Sequence, residues 1–402
     1  MEQPSTQQTS TDRNPWSVFL VFLRLGLTSF GGPIAHLGYF RDEFVVRRRW
    51  LSERRYADLV ALCQFLPGPG SSQVGIALGL SRAGYSGALA AWLGFTLPSA
   101  IALILFASLL MQHGNLAPGV VQGLKVVAVA VVAQAIWGMA RSLCPDRLRV
   151  TIMAAATIAV LLLTTVWSQL LVLLIAGLFG VLLIKPADDP QPEIQAAPVS
   201  RRAGSLALGV FVVLLVGLPV LTTLVPSQLL AMIDSFYRVG SLVFGGGHVV
   251  LPLLQAETVD TGLVDVELFM AGYGATQAVP GPLFTFAAFL GTAMNTGLPS
   301  WLNGLICLVA IFLPSFLLVI GVMPFWEQLR HNRRTQAALA GINAGVVGLL
   351  LAALYQPMWS TAIRGPGDFA LALAALIALV FWKLPPWLVV TATAVAGWAL
   401  SI

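Results

Sequence analysis

The chain has 402 residues, of which 57% are hydrophobic and only 10% are charged, and its mean hydropathy is +0.85. A soluble globular protein carries about a quarter charged residues, so this composition excludes a single water-soluble core. The apolar stretches, such as Val150–Ile184 and Ala203–Val225, are continuous and lack the alternation of a transmembrane barrel. The sequence therefore predicts an all-α integral membrane protein whose partner is the lipid bilayer.

Charge and cysteine content exclude several classes of function. In a membrane protein, a net charge such as the +5 of this chain mostly reflects basic residues in the loops. It therefore does not indicate that the protein binds nucleic acid. Cys63, Cys144 and Cys307 lie far apart, without the spacing of a zinc site. No lysine precedes Ser or Thr, as a phosphate-binding loop requires. We therefore expect no metal, no cofactor and no enzymatic activity.

In chain order, the sequence predicts a disordered polar tail (1–15), a first unit (16–184), a Pro- and Ala-rich linker (185–202) and a second unit (203–402). The two units are similar, because one nearly constant offset aligns Arg24 and the following Phe30-Gly31-Gly32 with Arg238 and the following Phe244-Gly245-Gly246. Further landmarks match in the same order: Glu43 with Glu257, Gln64–Pro69 with Gln277–Pro282, and Pro98-Ser99 with Pro314-Ser315. The chain is therefore an internal repeat.

Loop charges indicate how the two units are oriented. Arg41–Arg55 holds six arginines, whereas its counterpart Gln255–Glu267 holds none and is acidic. Conversely, Gln112–Gly119 has no basic residue, whereas its counterpart Arg330–Arg334 has three arginines. Because positive loops stay in the cytoplasm, the opposite charges predict an inverted-topology repeat, with between ten and thirteen hydrophobic segments.

Charged side chains inside the apolar segments are costly and usually face a transport pathway. Arg24, its counterpart Arg238 and Lys125 are therefore the leading candidates to pair with an anion, and Asn343 occupies the position equivalent to Lys125. The alternative is that these side chains extend to the membrane surface.

Two glycine-rich segments match between the units. Gly31 and Gly32 in the first unit, and Gly245, Gly246 and Gly247 in the second, indicate either close helix packing or unwound backbone at a ligand. His36 and His248 follow these glycines, and with Glu43 and Glu257 they are candidate proton relays. The alternatives are structural hydrogen bonds for the histidines and arginine pairing for the glutamates.

The most specific local signal is a Pro-Gly-Pro sequence in each unit, which interrupts a helix. The freed backbone groups are tolerated at membrane depth only beside protein or a watery cavity, so we expect broken, re-entrant helices at a binding site. The half-helix that starts at Ser71 would point its free amides and two serine hydroxyls at an oxyanion. A simple kink is the alternative. The candidate substrate-binding residues are Gln64, Pro67, Gly68, Pro69, Ser71 and Ser72, with Gln277, Pro280, Gly281, Pro282 and Thr285 in the second unit.

Two longer sequence stretches carry a family resemblance. Phe30-Gly-Gly-Pro-Ile-Ala-His36 followed by Cys63-Gln-Phe-Leu-Pro-Gly-Pro69, and Phe244-Gly-Gly-Gly-His-Val-Val-Leu-Pro252 followed by Gln277-Ala-Val-Pro-Gly-Pro282, resemble the chromate ion transporter family in its long two-domain form. The resemblance covers nearly all of residues 16–400. It implies a bacterial inner-membrane carrier that exports chromate, and it does not assign roles to single residues.

The sequence thus predicts a secondary carrier for a tetrahedral oxyanion, driven by the membrane potential or a coupled ion. The sequence does not decide between chromate and sulfate as the substrate. A homodimer is also compatible with the sequence. An anion channel would share the same architecture. A membrane-embedded chromate reductase would need a redox cofactor for which no motif is present.

Overall fold

The computed structural model describes residues 14–113, 118–163, 168–185, 199–244, 247–330 and 332–400. Within these ranges the chain is helical and contains no β-strand, as expected for an all-α protein. Most of the predicted tail (1–13) and most of the predicted linker (186–198) lie outside the described residues. The helices that begin at Gly70, Pro118, Arg201, Ser300 and Arg333 are long and apolar enough to cross a membrane.

The first unit contains seven α-helices: α1 (Pro15–Thr28), α2 (Gly32–Arg41), α3 (Glu53–Phe65), α4 (Gly70–His113), α5 (Pro118–Leu143), α6 (Arg147–Leu162) and α7 (Ser168–Leu183). The apolar stretch Val150–Ile184, which the sequence left open as one helix or two, is therefore a pair of helices. α4 is kinked at Ala83 and Gly84, where the backbone leaves the helical conformation.

One helix, α8 (Arg201–Leu224), separates the units and packs on the second one. It begins within the predicted linker, where the Ser200 side chain accepts a hydrogen bond from the Ala203 amide at 3.3 Å and caps the helix. α8 is therefore a single additional helix between two matching sets of helices.

The second unit repeats the order of the first. It comprises α9 (Gln228–Leu242), α10 (Val250–Thr258), α11 (Val266–Thr276), α12 (Phe286–Ala293), α13 (Ser300–Val322), α14 (Trp326–Arg330), α15 (Arg333–Ala353), α16 (Ser360–Ala362), α17 (Pro366–Val380) and α18 (Pro386–Leu400). The short 3₁₀ turns Gly247–Val249 and Leu283–Thr285 precede α10 and α12.

The two units exchange helices. α5 of the first unit packs against α17 and α18 of the second, and α15 of the second packs against α6 and α7 of the first. The contacts are close because they run through glycines: Gly123 meets the backbone of Thr393 and Gly397, and Gly341 meets that of Ala176 and Gly180. The same pairing therefore occurs twice, once in each direction, as expected for a two-fold repeat.

Candidate functional site: a cavity at the central helix breaks

Each unit contains two helix breaks. In the first unit α1 and α2 are separated by Ser29–Gly31, and α3 and α4 by Leu66–Pro69. In the second unit, α9 ends before Val243 and α11 ends before the segment Gln277–Pro282. Gly245 and Gly246 lie outside the described residues. The breaks fall where the sequence predicted them.

Two hydrogen bonds join these breaks across the units. The Gly68 amide donates to the Val243 carbonyl at 2.6 Å, and the Gly281 amide donates to the Ser29 carbonyl at 3.0 Å. Gly68 and Gly281 are equivalent in the repeat, as are Val243 and Ser29. Each Pro-Gly-Pro break is thus bonded to the glycine-rich break of the other unit, and we call these two contacts the crossed glycine bonds.

Both donor positions require glycine. The φ angles of Gly68 and Gly281 are +120° and +103°, a region that other residues rarely adopt. A Cβ at Gly68 would lie 2.8 Å from Ser315 Oγ, and a Cβ at Gly281 would lie 2.9 Å from Ser99 Oγ. The two serines are themselves repeat equivalents, so each break is also enclosed by the other unit.

The first Pro-Gly-Pro break lies at the tip of a helical hairpin. Arg82, at the end of the first segment of α4, lies over the ring of Trp50 at 5.1 Å, and Trp50 just precedes α3. The chain therefore goes in along α3 and returns along α4 to the level at which it started. This geometry supports the predicted re-entrant hairpin, whose position in a bilayer stays a prediction.

A cavity of about 390 Å³ lies beside this break. It is enclosed by α2, α3, the start of α4, the end of α5 and one residue of α15. Its lining is uncharged: Pro33, Leu37, Val60, Cys63, Gln64, Leu66, Gly68, Gly70, Ser71, Val74, Met139, Ser142, Leu143 and Asn343. The groups that an anion in this cavity would touch are therefore neutral dipoles.

The cavity wall offers hydrogen-bond donors without partners. The first amides of α4, those of Gly70, Ser71 and Ser72, have no acceptor within the helix and carry its positive dipole end. The Gln64 and Asn343 side chains form no hydrogen bond within the described part of the chain. Such a set of donors suits a tetrahedral oxyanion.

The backbone around this break is held by a neighbouring side chain. Gln73 Nε2 donates to the Pro67 carbonyl at 2.6 Å, and Pro69 occupies the position before the first residue of α4. The Ser72 hydroxyl is buried and has no partner among the described residues. Of the predicted first-unit residues, Gln64, Gly68 and Ser71 line the cavity, whereas Pro67, Pro69 and Ser72 do not.

Bulkier side chains stand at the equivalent break of the second unit. Phe284 and Thr285 stand at the positions of Ser71 and Ser72 and are buried, and the Phe284 ring packs against Phe312 with the ring centroids 6.0 Å apart. The Thr285 hydroxyl donates to the Pro282 carbonyl at 2.7 Å, so its hydrogen is already committed. Gln277, Pro280 and Gly281 lie at the break, and Gln277 Nε2 is buried without a partner among the described residues.

The two candidate histidines lie next to the breaks. His36 is buried, with Nδ1 3.3 Å from Ser71 Oγ and Nε2 3.2 Å from the Ser29 carbonyl. His248 Nδ1 lies 2.7 Å from the Tyr273 hydroxyl, and the Nε2 atom is 3.7 Å from the Cβ position of Gly32. Pro33 packs against Gly247 in the same region. The proton-relay role stays a prediction for both.

The three predicted anion-pairing cations do not line the cavity. Lys125 is buried and pairs with Glu267 at 3.3 Å, a carboxylate that also binds Arg364 at 2.7 Å. Arg238 pairs with Glu257 at 2.7 Å and with Asp234 at 3.4 Å. Arg24 is exposed, on the same face of α1 as Trp16, Leu20 and Leu27. A direct role for these cations in anion binding therefore has no support from their positions.

Glu43 forms ion pairs with two neighbouring arginines. Its carboxylate accepts hydrogen bonds from Arg48 at 2.6 Å and Arg47 at 2.9 Å. Burial alone raises the pKa of Glu43, but the two arginines outweigh it, so that the pKa is held below its usual range. The carboxylate therefore remains ionised, a state that does not suit a proton relay.

We expect the equivalent arginines to differ in their effect on stability. Arg238→Gln leaves Glu257 and Asp234 without their cation in a mostly buried site, which costs about 3–5 kcal/mol. Arg24→Gln is the matched control, because Arg24 contacts no carboxylate of a described residue. Thermal unfolding of the detergent-purified variants checks this. Equal melting temperatures would contradict the assignment of Arg238 to a structural ion pair.

Sequence reasoning missed several residues of the site. Ser29 and Val243 accept the crossed glycine bonds, Ser315 encloses Gly68, and Asn343 lines the cavity. A signal was present for two of them, because Ser315 belongs to a repeated Pro-Ser landmark and Asn343 is the counterpart of Lys125.

Comparisons with known proteins agree with this architecture. A family model described as chromate transporter matches residues 16–181 and 230–398, on either side of α8. The chain is 28% identical to a chromate transport protein of Pseudomonas aeruginosa, over 95% of this chain and 91% of the relative. It is 27% identical to an uncharacterised transporter of Methanocaldococcus jannaschii, over 84% and 82% of the two chains. It is 25% identical to a chromate transport protein of Cupriavidus metallidurans, over 94% and 91%. No solved structure matches the chain.

The fold and the site define a multi-pass helical membrane protein built from two homologous units around paired helix breaks. Within that class, the chain belongs to the chromate transporter family.

Proposed function

We propose that this protein is a secondary carrier that binds chromate in the cavity beside Gly68 and exports it across the bacterial inner membrane. One observation carries the proposal: the uncharged cavity is lined by the start of α4, where the backbone amides have no acceptor within the helix. The two family relatives named as chromate transport proteins support chromate as the substrate.

The chemistry of the cavity fits a tetrahedral dianion. Its oxygens would accept hydrogen bonds from the Gly70 and Ser71 amides, and from the side-chain amides of Gln64 and Asn343. Hydrogen bonds to an ionised acceptor are about twice as strong as neutral ones, and several of them offset the cost of leaving water. Sulfate has the same shape and charge, so it is the alternative substrate.

The position of the cavity fits export. It is lined by α2 and α3, which flank the arginine-rich segment Arg41–Arg55, and by the end of α5, which leads into Arg147 and Arg149. Because arginine-rich loops stay in the cytoplasm, the cavity would open inward, toward the compartment from which chromate is removed. The potential favours expulsion of an anion by about 2.3 kcal/mol per charge per 100 mV.

Uptake of chromate into everted membrane vesicles tests this function. Vesicles that contain the protein should accumulate chromate when their interior is made positive, and the flux should saturate and collapse with the potential. Vesicles from cells without the protein are the control. Flux that never saturates would favour a channel. Stronger uptake of sulfate would make sulfate the substrate, and no uptake of either anion would contradict the proposal.

A further inference from the structure

His36 is one hydrogen bond away from the predicted oxyanion site, through Ser71, and it does not line the cavity itself. Its ring is 1% exposed, and Ser71 lies between it and the cavity. The opposite ring nitrogen faces the Ser29 carbonyl at 3.2 Å. The ring edge also packs on Phe95, with the ring centroids 5.2 Å apart.

The two partners fix the tautomer of the neutral ring. A carbonyl oxygen only accepts, so His36 Nε2 carries the hydrogen and donates it to Ser29. Nδ1 of the neutral ring is then an acceptor, and the Ser71 hydroxyl donates to it across 3.3 Å. In this state the hydrogen of the Ser71 hydroxyl points away from the cavity, and only oxygen lone pairs face an incoming anion.

Protonation of His36 reverses this hydrogen bond. Both ring nitrogens then donate, so Nδ1 donates to Ser71 Oγ, and the hydroxyl hydrogen is free to turn toward the cavity. The proton can arrive through the same hydroxyl: Ser71 Oγ takes a proton from a hydronium ion in the cavity, which becomes water, while the hydrogen of the hydroxyl passes to Nδ1. The site gains one donor and one positive charge, and no other bond changes.

No other charged group faces His36 within the described part of the chain. α2 packs on α3, α4 and the segment Asp42–Arg47. Glu43 and Arg47 are bonded to each other, and Tyr56 donates to the Leu37 carbonyl. Cys63 lies on the cavity wall. The other titratable side chains described on these elements are Tyr39, Arg41, Asp42, Glu53, Arg55, Asp58, Arg82 and Tyr85, none of which contacts His36.

We infer that this protein binds its oxyanion together with one proton, which His36 holds and Ser71 transmits to the cavity. The inference rests on the proposed function, and it means that the loaded site carries one negative charge where a bare dianion would carry two. Linkage makes the effect reciprocal: the anion favours the protonated ring, and the protonated ring favours the anion.

Proton uptake on anion binding tests the inference. Sulfate, which stays a dianion from mildly acidic to alkaline buffer, and chromate are each added to the detergent-purified protein in weak buffer with a pH-indicator dye. We expect about one proton taken up per anion bound, and an affinity for sulfate that rises about tenfold per unit fall in pH while His36 is neutral in the free protein. His36→Gln should bind the anion without this uptake and with a flat pH profile.

Two control variants distinguish proton uptake by His36 from proton uptake by other groups. Ser71→Ala should also lose the proton uptake, and it keeps the test valid if His36→Gln does not fold. His248→Gln should keep the uptake, because His248 is bonded to Tyr273 and not to the wall of the cavity. For chromate, subtracting the His36→Gln signal removes protons taken up by the anion itself.

The outcomes are distinct. Anion binding without proton uptake by the native protein, or uptake that persists in His36→Gln, would overturn the coupling and leave the carrier intact. Failure of both anions to bind would overturn the proposed function and the coupling with it.

Discussion

Replacing Gly68 with alanine is expected to lower chromate flux about a hundredfold, the scale of loss that follows when a site is displaced by about 1 Å. The added Cβ would meet Ser315 Oγ at 2.8 Å and Gln73 Nε2 at 2.7 Å, at a φ of +120° that alanine rarely adopts. To relieve this, the break must move away from Ser315, which stretches the bond from the Gly68 amide to Val243. Initial rates in everted vesicles measure the effect.

Two further variants make this prediction specific. Gly281→Ala repeats the change in the second unit, where Ser99 Oγ would lie 2.9 Å from the new Cβ, so we expect a loss of similar size. Gly209→Ala, on α8 with no atom within 4 Å of its Cβ position, should transport normally. Each rate is divided by the amount of inserted protein. A Gly68→Ala protein that transports at the native rate would show that the crossed glycine bonds are dispensable.

Asn343→Asp is the second change with a large expected effect. The new carboxylate would enter an uncharged cavity that is proposed to hold a dianion, and like charges in contact cost several kcal/mol. Since every 1.4 kcal/mol is a factor of ten, the affinity for chromate should fall by about a hundredfold or more. Equilibrium binding to purified protein in alkaline buffer, where the carboxyl group is ionised, gives this number.

Asn343→Ala is the matched control for the charge. It removes the free amide and adds no repulsion, so the loss should be about tenfold, the lower end of the value of a hydrogen bond to an ionised group. If the aspartate and alanine variants bind chromate equally well, the anion does not approach Asn343, and the cavity is not its binding site.

Much of the fold could be predicted because it depends on local patterns. Continuous apolar segments identify membrane helices, and the repeated Pro-Gly-Pro removes helical hydrogen bonds wherever it occurs. The helix exchange could not be predicted. Gly123 and Gly397 are far apart in sequence, and a glycine in an apolar helix does not indicate which helix it will meet.

The two aligned arginines show why the site was harder to predict than the fold. Arg24 and Arg238 align in the repeat and share apolar neighbours, so sequence alone gave them one role. The structure separates them because Asp234, one turn before Arg238, is a partner that the first unit lacks: Leu20 occupies the equivalent position. A comparison of the positions one turn away, in addition to the aligned arginines, would have indicated that Arg238 is a structural residue.

The exchange of helices between the units has a consequence for biosynthesis. α5 is made early, yet the helices that cover its glycine surface, α17 and α18, are made only after α16. Until then the nascent first unit keeps an unfilled groove in the membrane, and a chain that terminates before Pro386 would never fill it. A nonsense mutation in the last helix would therefore damage the amino-terminal half of the protein, and each half must wait for the other before either is complete.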